Sequence, residues 1–183
     1  MSKIMSLLKA YQAFVRLPWQ NGLSGPEKVW FCLYEPRDER RLRTRLDEFA
    51  LATQEAGHAW TLFDVTTAFE TWMVSHEYRD GYFAEPQYLG PALDDFLASL
   101  SERLQQVLQS ADRSTVVAVT GAGALFGLVR VSALIERVAQ HIRGRLLVFF
   151  PGTREGASNY RLLDGRDGWN YLAIPIEAEG KRI

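Results

Sequence analysis

The sequence predicts an α/β fold: a three-layer α/β/α arrangement around a mostly parallel sheet of four to five strands. Three observations lead there. Short apolar runs alternate with stretches of helical periodicity along the chain. The runs are apolar throughout rather than at every second position, as expected of strands covered on both faces. At 183 residues, the chain suffices for one domain over residues 1–183 that buries roughly 70% of its unfolded surface.

The chain opens on a helix whose face carries Ile4, Leu7, Leu8, Tyr11, Phe14 and Val15. This stretch lacks the continuous apolar core of a signal peptide, and no run reaches the ~20 apolar residues a bilayer span needs. A cytoplasmic protein without a membrane segment is therefore expected. After the loop chemistry of Asn21-Gly22-Leu23-Ser24-Gly25-Pro26, the run Val29-Trp30-Phe31-Cys32-Leu33-Tyr34 reads as a buried first strand. Cys32 inside it is the chain's single cysteine, so it is expected to act as a small buried hydrophobe.

A helix carrying Leu42, Leu46, Phe49, Ala50 and Thr53 follows and ends near Gly57. Trp60 to Val65 forms the second strand. A longer helix, started by Pro91, places Leu93, Phe96, Leu97, Leu100, Leu104, Val107 and Leu108 on one stripe, with Asp94 and Asp95 near its positive end. The third strand is Thr115-Val116-Val117-Ala118-Val119-Thr120. A glycine-rich turn then leads into a helix presenting Leu128, Val131, Leu134, Ile135, Val138 and Ile142, stopped by Gly144. Arg145 to Phe150 is the fourth strand. Beyond Pro151-Gly152, Tyr160 to Leu163 and Trp169 to Ile176 flank Asp164-Gly165-Arg166-Asp167-Gly168 as an irregular hairpin or final edge strand, an edge being where Pro175 fits.

The formal charge of −1 supplies no general attraction to DNA. Seventeen of the twenty-one basic residues are arginine, which favours bidentate contacts over diffuse phosphate attraction. The densest cluster, Arg37 to Arg45, is interleaved with Glu35, Asp38, Glu39, Asp47 and Glu48, so local pairing at helical spacing is expected.

Few residues carry a chemical signature. Gly121, Gly123 and Gly127 stand between a strand and a helix, where backbone amides could approach a phosphate. The spacing misses the dinucleotide fingerprint, and no Gly-Lys-Ser/Thr ending follows, so tight turning is the simpler role. Asp64, at the carboxyl end of the second strand, lies where open α/β sheets place ligands; a strand-end aspartate also serves as a turn acceptor. His58, His76 and His141 stand singly, without zinc-ligand spacing. No metal site, cofactor or catalytic residue is expected. Loop aromatics beside arginines, above all Tyr78, Arg79, Tyr82 and Phe83, then Tyr160 and Arg161, are candidates for binding a protein partner, because Tyr, Trp and Arg anchor interfaces. Trp19 and Trp169 are expected to roof the sheet ends.

The strings Leu17-Pro18-Trp19, Leu23-Ser24-Gly25-Pro26-Glu27-Lys28-Val29-Trp30-Phe31, Glu77-Tyr78-Arg79, Leu125-Phe126-Gly127-Leu128-Val129-Arg130-Val131-Ser132, Gly144-Arg145-Leu146-Leu147-Val148-Phe149-Phe150-Pro151-Gly152 and Asn159-Tyr160-Arg161-Leu162-Leu163-Asp164, with Gly168-Trp169-Asn170-Tyr171-Leu172, resemble the BrxB family. Together they span nearly the whole chain. The resemblance implies a component of BREX, a bacterial system that blocks phage replication and methylates host adenine. It implies a non-catalytic core or scaffold subunit that binds the phosphatase-like protein PglZ first, with the ATPase BrxC as a second candidate. Two rival readings follow from the residues: a nucleotide- or phosphate-binding protein using the Gly121 to Gly127 turn with Asp64, and a DNA-binding adaptor. Direct DNA binding is the least expected, given the missing positive charge.

Overall fold

The structure is a computed structural model, and it describes residues 2–168 and 172–178. The first helix, α1 (Lys3–Val15), is capped by the Ser2 hydroxyl, which accepts from the Met5 amide. Its buried face is Ile4, Leu7, Leu8, Tyr11 and Val15, as the periodicity predicts. Strand β1 (Val29–Tyr34) is buried at every position.

The helix expected over residues 42 to 53 is interrupted. It forms α2 (Glu39–Arg43) and α3 (Leu46–Glu55), because the Thr44 hydroxyl bonds back to the Arg41 carbonyl and the Arg45 amide closes a tighter turn on Leu42. Gly57 stands just past α3 with a φ of +87°, the expected left-handed stop. Strand β2 (Ala59–Asp64) follows, then two short helices, α4 (Ala68–Ser75) and α5 (Arg79–Ala84). Helix α6 (Leu89–Ser110) begins two residues ahead of Pro91, so Asp94 and Asp95 lie beyond its first turn. Its buried stripe runs through Phe96, Leu97, Leu100, Leu104 and Leu108, each such side chain contributing about 1.5–3 kcal/mol.

Strand β3 (Thr115–Thr120) matches its expected bounds. Helix α7 (Val131–Val138) is shorter than expected: Leu128 precedes it, and a 3-10 turn over Ala139–His141 ends it before Gly144. The role of Gly144 is close approach, since a Cβ there would stand 2.0 Å from the Thr115 carbonyl oxygen. Strand β4 (Arg145–Glu155) continues through Pro151-Gly152. Three short strands follow, β5 (Asn159–Leu162), β6 (Gly165–Gly168) and β7 (Ile174–Ile176). The segment expected to be the hairpin loop is therefore largely β6. Trp169, Asn170 and Tyr171 lie outside the described residues.

The sheet is mixed and has seven strands rather than four or five. Along the order β2-β3-β4-β1-β7 the neighbours are parallel. The far half of β4 then pairs antiparallel with β5, and β5 with β6. Antiparallel neighbours need only a short turn, whereas each parallel pair needs a crossover. Proline 175 sits on the edge strand β7, as expected.

Alternate residues of the central strands serve two cores. Val29, Phe31, Leu33, Val117, Val119, Leu146 and Val148 pack with α6 and α7. Trp30, Cys32, Tyr34, Val116, Ala118, Leu147 and Phe149 pack with α1 and α3. Helices thus cover both faces. Edge strand β2 departs from the expectation of full burial: only Phe63 is buried, and Leu62 is exposed.

Candidate interaction surface and cleft

At the carboxyl ends of the parallel strands, Pro36, Glu39, Arg43, Thr66, Gly121, Gly123, Ala124, Pro151 and Leu163 line a cleft of about 290 Å³, the position where α/β sheets commonly bind ligands. Asp64 ends β2 here. Its Oδ1 accepts from the Thr66 amide at 2.9 Å and from the Thr66 hydroxyl, while its Oδ2 accepts from Arg43 at 3.2 Å. Arg43 also donates to Glu39 at 2.8 Å and to the Thr66 hydroxyl, and the Tyr34 hydroxyl donates to Glu39. Partial desolvation works to raise the Asp64 carboxyl, but the Thr66 donors and the Arg43 guanidinium outweigh it and hold the group below its ordinary value. This network uses the arginine cluster as its local neutrality predicts; Arg41 likewise pairs with Asp38 and Arg45 with Glu48.

Of the candidate glycines, Gly121 stands beside Asp64 and Gly123 lines the same cleft, whereas Gly127 borders a separate pocket with Asp167; none of them opens an α-helix. Gly121 has a φ of +82°, and a Cβ there would stand 2.3 Å from the Thr66 hydroxyl and 2.9 Å from Asp64. Residues Ala122–Leu125 form a 3-10 turn, and Gly127 takes a φ of +76°. The next helix, α7, has its first amides engaged elsewhere. The carboxylate of Asp167, on β6 and buried, accepts from the Val131 amide at 2.7 Å and from the Ser132 amide at 2.8 Å. The Ser132 hydroxyl returns a bond to the Asp167 carbonyl. A carboxylate of the chain itself therefore holds the positive helix end that a phosphate would seek.

Tyr160 corrects the sequence expectation. It is 1% exposed, its ring 4.8 Å from that of Phe31 and 5.9 Å from that of Phe150, so it belongs to the core. Alternation along β5 turns its neighbour Arg161 outward, where it pairs with Glu155 and the Asp164 carbonyl. Trp19 roofs the sheet end as expected. It stacks on His58 at 3.7 Å and lies 4.7 Å from the guanidinium of Arg145. Arg145, a residue the sequence reading did not single out, is buried and donates to the Gly144 and Gln20 carbonyls. Burial pushes its pKa down.

The remaining candidates gather on one exposed segment. Helix α5 and the following turn, Pro86–Tyr88, contain no buried residue. Between Val74 and Tyr88 four large apolar side chains face solvent: Val74 at 67%, Tyr78 at 62%, Phe83 at 71% and Tyr88 at 60% exposure. Tyr82 is half-buried, its ring 5.2 Å from His76. Arg79 folds back onto its own segment, reaching Asp80 at 3.2 Å and the Val74 carbonyl. Trp72 and Phe69 root this segment in the core through Phe96, at 5.6 and 5.3 Å. Tyr88 is another of the loop aromatics legible in the sequence, whereas Val74 carries no signal there.

Among the described residues no helix is long and apolar enough to cross a membrane, and no group of three His, Cys, Asp or Glu could hold a metal ion. No curated protein and no solved structure matches the chain. A family model described as BREX protein BrxB matches residues 70–174, more than half of the chain, including the exposed aromatic segment, β3, the glycine turn and β4. The strings around Leu17-Pro18-Trp19 and Val29-Trp30-Phe31 fall outside the matched stretch. The chain therefore belongs to the BrxB family and is a component of BREX phage defence.

Proposed function

We propose that this protein is a non-catalytic scaffold subunit of the BREX complex, acting in the cytoplasm by docking partner proteins through the segment from Val74 to Tyr88. PglZ is the first partner expected, and BrxC the second. The observation that carries this reading is the exposure of Val74, Tyr78, Phe83 and Tyr88 within fifteen consecutive positions. Large rings left in water by the fold itself are the side chains that anchor protein interfaces when covered.

Two features, one in the cleft and one at the separate pocket before α7, weigh against a bound nucleotide. Arg43 is already engaged by Asp64 and Glu39, and the amides at the start of α7 are taken by Asp167. A role as DNA adaptor has less support still, since the exposed segment is rich in carboxylates that repel phosphate. Co-expression of a tagged copy with the other BREX proteins, followed by size exclusion and mass spectrometry, tests the scaffold role. A stable complex containing PglZ is expected. Elution of the tagged chain by itself, with no defence protein retained, would overturn it.

A further inference from the structure

The exposed segment, taken with α4 before it and the start of α6 after it, differs in charge from the rest of the molecule. Residues 66–95 carry Glu70, Glu77, Asp80, Glu85, Asp94 and Asp95 against one arginine, Arg79, a formal charge of −5 in a chain whose total is −1. All six carboxylate residues are exposed. The one arginine is spent locally on Asp80. The same stretch presents the rings of Tyr78, Phe83 and Tyr88 to solvent. Aromatic faces and carboxylates favour the same visitor, because the ring quadrupole and the carboxylate charge both attract cations.

We infer that the stretch from α4 to the start of α6, residues 66–95, is an acidic and aromatic platform for a basic segment of a partner protein, whose lysines or arginines alternate with apolar side chains. This rests on the docking role proposed above and adds the chemistry of what docks. The rings supply buried contact and the carboxylates steer and select. Charges at the rim of an interface act chiefly on the association rate and on salt dependence, whereas central aromatic anchors govern dissociation. The two contributions are therefore separable by experiment.

Purified PglZ is the probe, titrated against the full chain and two variants. Glu77→Lys with Glu85→Lys reverses charge at exposed positions and takes the local formal charge from −5 to −1; Tyr78→Ala with Phe83→Ala removes the anchors. Thermal melts establish that both variants fold. At 0.1 M NaCl, where the Debye length is ~10 Å, the charge variant should bind about ten-fold more weakly, chiefly through a slower association rate. At 0.5 M NaCl it should converge on the unmodified chain. The ring variant should bind more weakly at both salt concentrations.

Binding that depends on the rings but ignores salt and charge reversal would overturn the basic-partner inference and leave the docking role standing. Tighter binding by the charge variant would overturn it as well, by showing an acidic partner. Absence of binding by the unmodified chain to PglZ, and to BrxC in the same titration, would overturn the docking role and the inference together. If the chain alone forms dimers that charge reversal dissolves, the occupant is a second copy, and the inference fails.

Discussion

Replacing Asp167 by Ala tests whether the helix end beside the glycine turn is closed by the chain itself. The Asp167 carboxylate accepts from Val131 and Ser132 amides at 2.7 and 2.8 Å while 4% exposed. Loss of an ordinary N-cap costs about 0.5–2 kcal/mol. Here two donors lose a carboxylate partner within the fold, and β6 loses its tie to α7, so about 3 kcal/mol is expected. For a chain of this size that corresponds to a fall in Tm of roughly 6–12 °C. Asp167→Asn keeps one acceptor and should lose about half as much. Urea unfolding at pH 7, with unchanged slope, measures both. A loss below about 0.5 kcal/mol, typical of an inconsequential surface change, would mean that the α7 amides find other acceptors. The case against a phosphate there would then lose its main support.

Tyr160→Ala should destabilise by about 3–5 kcal/mol, as removal of a buried ring does, whereas Phe83→Ala should stay within about 0.5 kcal/mol of the unmodified chain. Comparable melting temperatures for the two variants would contradict the placement of Tyr160 in the core. His58 gives a pH dependence. Desolvation in its stack on Trp19, aided by nearby Arg145 and opposed by the Ser114 bond, holds its pKa below the ordinary value. The folded state therefore binds its proton less readily than the unfolded chain. Its contribution to stability is full above about pH 6.5, the unfolded value, and is lost as the pH falls through the lower folded value. Melts from pH 7.5 to 5 should show this fall, and His58→Gln should flatten it; equal slopes for the two proteins would refute the assignment.

Periodicity located most of the fold because burial drives it. Val29 to Tyr34 and Thr115 to Thr120 are strands with their expected bounds, since continuous apolar runs have no other place than the middle of a covered sheet. Departures occurred where local hydrogen bonds or edges decide. Thr44 breaks a helix that its apolar stripe would continue, and β4 runs on through a proline and a glycine because β5 pairs with its far half. Tyr160 departs from its expectation because an aromatic beside an arginine reads alike in a loop and on a strand with one buried face. The exposed segment was legible at Tyr78, Arg79, Tyr82 and Phe83, where charge and rings lack helical order. The acidic character of the stretch around it, residues 66–95, is hidden by the whole-chain charge, which averages −5 there against positive charge elsewhere. Asp167 could not be found from sequence, because its partners lie 35 and 36 positions away.

Hydrogen exchange on the chain alone and in complex with PglZ most directly tests the claim that this protein works by docking through its exposed aromatic segment. Slowed exchange concentrated in residues 74–90 is the predicted result, with little change in the turn from Gly121 to Gly127. Unchanged exchange in residues 74–90, with protection appearing instead at the glycine turn, would contradict it and return the cleft beside Asp64 to the centre of the protein's function.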